Sequence, residues 1–151
     1  MKIYAIDTCA LINAANQYNM NKKLFEPIWN TISGMVESGN LITSSEVGEE
    51  LKDEDLILWK RRHSKAFIPI DDEIQKRVVD LLREFPTIIK MKSSANSNAD
   101  PFLIAVAQKH NACIITDEGA GSELDLKIPY VCKKLGIECI KFSEFLDSIV
   151  E

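Results

Sequence analysis

Short apolar runs alternate along this chain with stretches whose apolar residues recur every three or four positions, and that alternation leaves few folds open. Residues 2–6, "KIYAI", alternate and then become continuously apolar, as a strand buried on both faces does, and "LINAA" after them reads as helix. Within residues 21–38, Leu24, Phe25, Ile28, Trp29, Ile32, Met35 and Val36 fall at helical spacing, and Gly39 stands where a glycine ends a helix. Trp29 belongs to the packing face of that helix. Residues 41–43 form a very short strand, Ser44 or Ser45 caps the next helix, and Glu46, Glu49 and Glu50 fill its opening turns. Residues 72–85 make an amphipathic helix with Ile74, Val78, Leu81 and Leu82 on one side.

The second half repeats the pattern. "ADPFLIAVAQKHN" is a helix with Asp100 just before it and Pro101 in its first position. "ACIITDE" is a buried strand ending in acids, "KIPYVCKKLG" a short helix closed by Gly136, and "IECIKF" a strand leading into a last helix capped by Ser143. Strands alternating with helices build parallel sheets covered on both faces. The expected fold is therefore α/β, a three-layer α/β/α sandwich with a central, mostly parallel sheet. At 151 residues, 46% of them hydrophobic, the chain supplies one core, and a single domain over residues 1–151 is expected.

Several function classes fall away. No apolar run is long enough to cross a bilayer, and the opening "MKIYAI" enters a strand rather than a signal peptide, so no membrane partner and a cytoplasmic location are expected. Cys9, Cys113, Cys132 and Cys139 show neither a CxxC nor a Cys/His pairing, which points away from zinc and from a disulfide framework. The net charge of -5 opposes a polyanionic partner unless basic residues gather locally and cations neutralise the acids.

In an open α/β sheet, ligands bind beyond the carboxyl ends of the strands. Asp7 follows the first strand, Asp117 and Glu118 follow "CIIT", and the Glu46, Glu49, Glu50 group opens the helix after the short strand. Asp100 opens the helix that feeds "CIIT"; helix running away and strand running back put it on the same edge. Singly, each acid is explained by capping, by the helix dipole or by a turn. Together on one edge they repel, and they shift toward protonation unless a cation holds them. Oxygen donors without a Cys or His cluster suit Mg²⁺ or Mn²⁺, and the usual chemistry of such a site is phosphodiester hydrolysis.

In this order the motifs resemble the PIN-domain nucleases over nearly the whole chain. "AIDTCALI" is similar to that family's opening strand, its first metal-binding aspartate falling on Asp7 and the adjacent hydroxyl on Thr8. "SSEVGEEL" resembles the second acidic element, whose Glu-Leu pair falls on Glu50 and Leu51. "ADPFLIAVA" resembles the third, with its acid at Asp100, and "IITDE" the fourth. "ADPFLIAVA" and "KIPYVC" also look like a PIN-like bacterial and archaeal subfamily without assigned function. The resemblance implies a PIN-like fold and a Mg²⁺- or Mn²⁺-dependent ribonuclease acting on RNA. It also admits the toxin half of a toxin–antitoxin pair, with an antitoxin protein and a second copy of the chain as partners.

Two positions depart from the family pattern. The fourth element usually reads Thr-x-Asp, whereas Thr116-Asp117-Glu118 offers an acid at both places. Glu46 and Glu50 are an i, i+4 pair, about 5–6 Å apart on one helix face, with Glu50 favoured as the ligand and Glu46 as the alternative. On this reading Asp7 and Asp100 anchor the ion, Glu50 and Asp117 or Glu118 complete its surroundings, and Thr8 and Thr116 orient a carboxylate or a water. Lys60, Arg61 and Arg62, with His63 and Lys65 beside them, and Lys90 and Lys92 before Asp100, are the candidate phosphate contacts. A solvated helix end explains the first of these runs equally well, and His63 reads as a surface residue.

Three competing readings remain. A phosphoaccepting receiver domain needs an acid pair after the first strand, and Asp7 stands between Ile6 and Thr8. A haloacid-dehalogenase-type phosphatase needs Asp-x-Asp there, and Cys9 holds the second place. A non-catalytic PIN-like module that binds RNA or protein is the stronger alternative.

Overall fold

The structure is a computed structural model that describes residues 2–89 and 98–149. Its strands are β1 (Tyr4–Ile6), β2 (Leu41–Ser44), β3 (Phe67–Ile68), β4 (Cys113–Ile115) and β5 (Cys139–Ile140). They form one sheet in the order β3-β2-β1-β4-β5, and every neighbouring pair is parallel. Parallel neighbours need crossover connections, and helices supply them. These are α1 (Thr8–Gln17), α2 (Glu26–Glu37), α3 (Ser45–Glu50), α4 (Glu54–Arg62), α5 (Asp72–Glu84), α6 (Asp100–His110), α7 (Ile128–Leu135) and α8 (Phe142–Ile149).

Residue parity along the strands assigns the two cores. Tyr4, Ile6, Cys113 and Ile115 pack with Leu11, Trp29, Ile32, Trp59 and Phe145, so one layer holds α1, α2, α4 and α8. Ala5, Ile42 and Ile114 pack with Val78, Leu103, Ile104 and Val131, so the other holds α5, α6 and α7. The molecule is a three-layer α/β/α sandwich with both sheet faces covered, which is why its strands read as continuous apolar runs. Among the described residues no helix is long and apolar enough to cross a membrane.

Several elements differ locally from expectation. The helical stretch over residues 21–38 is interrupted: Lys23–Phe25 is a 3₁₀ turn, and α2 starts at Glu26 with Pro27 in its first turn, where a missing N–H loses no bond. Gly39 follows at φ +81°, the left-handed conformation that ends a helix. Trp29 is buried edge-on to Trp59, a packing residue as expected. The last helix begins at Phe142, so Ser143 is inside it rather than its cap. All four cysteines are free. Lys90 and Lys92 lie outside the described residues.

The chain passes from β1 to β2 and β3 on one side, then crosses to β4 and β5 on the other. The switch point therefore falls between the carboxyl ends of β1 and β4, the place where an open α/β sheet leaves a crevice.

Candidate active site at the ends of β1 and β4

Asp7 is the residue that leaves β1 and caps α1. Its Oδ1 accepts a hydrogen bond from the Ala10 N–H at 2.7 Å, and its Oδ2 accepts one from the Thr116 hydroxyl at the end of β4. The side chain is only 3% exposed. Burial pushes its carboxyl up to about 7, against the pull of the Thr116 and Ala10 hydrogen bonds, and the charges of Glu118 and Asp117 push it further. Asp7 is thus a helix cap and a buried charge at the switch point at once. Its neighbour Cys9 is inert: burial, then the Asp7 charge, pushes the thiol up to about 11.

The acids after β4 are tied down. Asp117 accepts from the Asn13 side-chain amide at 3.2 Å on Oδ2 and from the Phe142 N–H, at the start of α8, at 3.1 Å on Oδ1. Glu118 accepts from the Ile128 N–H, at the start of α7, at 2.9 Å, while its own N–H donates to Thr116 Oγ1 at 3.1 Å. Each of the two acids therefore satisfies a donor that a helix start leaves without an intrahelical partner. The first N–H of α8 is thus met by a carboxylate 25 residues before Phe142.

On the other side of β1, the Thr43 hydroxyl donates to the Ile6 carbonyl at 2.6 Å and fixes the end of β2 against the end of β1. Ser44 caps α3 by accepting from the Glu46 N–H at 3.1 Å. The Thr8 hydroxyl donates to Glu50 Oε1 at 2.6 Å, so the residue after Asp7 holds the last acid of α3. Gly48 lets this helix lie close: a Cβ there would meet Lys60 Cε at 2.9 Å and the Phe67 ring at 3.0 Å. At about 100° per residue Gly48 is opposite Glu46 and Glu50, so Lys60 packs across α3 from them, its ammonium 3.9 Å from Glu49.

Asp100 opens α6 one residue earlier than the sequence suggests. Ala99 is the residue before its first turn and makes no side-chain cap bond. α6 packs on β1, β2 and α3 and returns through Asn111, in the left-handed region at φ 52°, directly into β4. Its start therefore lies at the edge where β4 ends, as the helix-away, strand-back argument requires.

The basic residues are placed differently. Arg61 and Arg62 are exposed in the last turn of α4, where cations suit the helix dipole. Lys65 donates to the Glu37 carbonyl at 2.6 Å, at the end of α2. His63 is half-buried and held: its ring stacks on Trp59 with centroids 4.6 Å apart and meets the Trp59 carbonyl and Ser33 Oγ, each at 2.9 Å.

The structure thus joins Asp7, Thr116, Asp117 and Glu118 around the end of β4, and Thr8 with Glu50 beside them. Among the described residues no three His, Cys, Asp or Glu side chains stand at metal-binding spacing. Asn13 is the site residue that sequence reasoning passed over; its only sequence signal is an amide in the middle of α1, directly after the apolar run of residues 10–12.

An all-parallel sheet with helices on both faces and a buried carboxylate at its switch point defines an α/β protein with a crevice at its strand ends. Within that class, the chain belongs to the family described as Domain of unknown function (DUF4411), whose model matches residues 4–149. No curated protein matches the sequence closely enough to count as a relative.

Proposed function

We propose that the chain is a Mg²⁺- or Mn²⁺-dependent ribonuclease that hydrolyses RNA phosphodiester bonds at the edge carrying Asp7, Glu50, Asp100 and Glu118. The observation that carries this reading is Asp7, a 3%-exposed carboxylate pushed up to about 7 by its burial and by two acidic neighbours. Its anion is disfavoured there without a cation, and an oxygen-seeking cation offsets both the burial and the repulsion. The donor set fits such an ion: carboxylates and threonine hydroxyls, with Cys9 protonated and no histidine among them.

Asp7 and Asp100 would hold the ion, with Glu50 and Glu118 beside them and Glu46 as the alternative on α3. A bound divalent cation supplies phosphate polarisation and an acidified water. The chain's own groups supply orientation: Thr116 and the Ala10 N–H fix the Asp7 carboxylate, and Thr8 fixes Glu50. The motif order that resembles PIN-domain nucleases supports RNA as the substrate, and with it the toxin half of a toxin–antitoxin pair and a cytoplasmic location. A second reading, a module that binds without cutting, is favoured by the ties of Asp117 and Glu118 to helix starts.

Cleavage of a mixed single-stranded RNA pool with Mn²⁺, Mg²⁺ or EDTA tests the proposal. The expected result is cation-dependent cutting that is lost in Asp100→Asn while the fold is kept. Cutting that survives EDTA, or survives Asp100→Asn, overturns it; binding of the pool without cutting selects the second reading.

A further inference from the structure

Asp117 sits one residue past Thr116, which grips Asp7, and its charge is among those that act on Asp7. Yet both of its oxygens are engaged elsewhere: Oδ2 by the Asn13 amide at 3.2 Å, and Oδ1 by the Phe142 N–H at 3.1 Å. α1, which carries Asn13, and α8 meet again through rings. Phe142 lies 6.1 Å from Tyr18, the residue that ends α1, and 5.7 Å from Phe145 in the core of α8. Asp117 is therefore a clamp joining the end of β4 to α1 and α8.

We infer that Asn13 is a positioning residue: its amide, acting with the start of α8, keeps the Asp117 carboxylate off the cation that the neighbouring acids attract. The inference rests on the cation reading proposed above. An unengaged carboxylate at this place is drawn toward the ion by Coulomb attraction. Two donors oppose that pull, fixing the rotamer and occupying a lone pair on each oxygen. An amide suits the task because it donates without adding a positive charge that would repel the ion. Its orientation is set by the network, since only Nδ2 can face the carboxylate, and the Cys9 sulfur lies 4.0 Å from the same nitrogen. The division of labour between the two acids after Thr116 then follows from Asn13 rather than from their order in sequence.

Mn²⁺ titration of the full chain by electron paramagnetic resonance tests this, with wild type, Asn13→Leu, Asp117→Asn and the double variant compared. Amide hydrogen exchange is followed at Phe142 and through the first turn of α8. Asn13→Leu is expected to bind Mn²⁺ about tenfold more tightly, the equivalent of one charge-assisted hydrogen bond released, and to exchange faster at Phe142. Asp117→Asn is expected to bind like wild type, within about twofold, and to abolish the gain in the double variant. A purely structural role moves the other way, because a loosened site binds more weakly. Weaker or unchanged Mn²⁺ binding in Asn13→Leu, with wild type still binding, overturns the inference and leaves the cation reading intact. No Mn²⁺ binding by any of the four proteins overturns the cation reading itself. Should Asn13→Leu fail to fold, Asn13→Ser, whose hydroxyl is too short to reach Asp117, carries the same expectations.

Discussion

Burying Asp7 makes the stability of the cation-free protein depend on pH in a direction that can be worked out beforehand. The carboxyl titrates at about 7 in the fold against 3.8 unperturbed. Below 3.8 both states are protonated and the group is silent. As pH rises, the unfolded chain ionises first and gains stability, until the folded carboxyl also ionises near 7. Stability of the fold is therefore lost with rising pH across that window. The shift of about 3 units, at about 1.4 kcal/mol each, amounts to about 4 kcal/mol in all. Between pH 5 and pH 8 roughly 2 of those units remain, or about 3 kcal/mol. Urea unfolding in EDTA, wild type against Asp7→Asn, isolates the contribution because every other titrating group is shared. The wild type is expected to lose about 3 kcal/mol relative to the variant between pH 5 and pH 8, and Mn²⁺ at pH 8 is expected to restore wild type alone. A difference between the two proteins that stays flat with pH refutes the reasoning.

Three further outcomes follow from the packing. Gly48→Ala removes a glycine from a helix, a change normally worth about 1 kcal/mol of stability, but its Cβ would meet the Phe67 ring at 3.0 Å. No net gain is expected in urea unfolding, and a full gain would show that α3 stands off from β3. Phe145→Ala empties a fully buried position edge-on to Tyr4 and is expected to cost about 3–5 kcal/mol; a loss below about 1 kcal/mol would mean that α8 is not docked. Replacing Arg61 and Arg62 by Ala leaves the fold intact, since both are exposed, and is expected to lower the salt slope of RNA binding by about 1 for each phosphate no longer neutralised. An unchanged slope removes the end of α4 from the RNA path.

What the sequence disclosed and what it hid follow from the range of the interactions. β1, β4 and the helices around them were readable because burial on both faces writes an uninterrupted apolar run, and helical packing writes a three-to-four spacing. Strand order was not readable, since no local pattern says that β1 lies between β2 and β4; the sheet expected to be mostly parallel is parallel throughout. Asp7 was readable as a cap and as a candidate ligand, but its grip by Thr116 spans 109 residues and that of Glu50 by Thr8 spans 42. Ser143 lost its expected capping role because the helix already starts at Phe142, whose N–H is met by Asp117, a carboxylate 25 residues away that only the fold brings there. His63, read as a surface residue, is held by Trp59 and Ser33, the latter 30 residues away. Asn13 escaped notice because an amide inside a helix carries no chemistry until a partner across the fold is known.

The central claim is that a divalent cation sits at the switch point on Asp7. Anomalous scattering from Mn²⁺-soaked crystals tests it most directly. The expected result is a peak between the ends of β1 and β4, about 2 Å from an Asp7 oxygen and within reach of Asp100, that disappears in Asp7→Asn. A Mn²⁺ peak elsewhere on the molecule, with the Asp7 carboxylate still held only by Thr116 and Ala10, would contradict it.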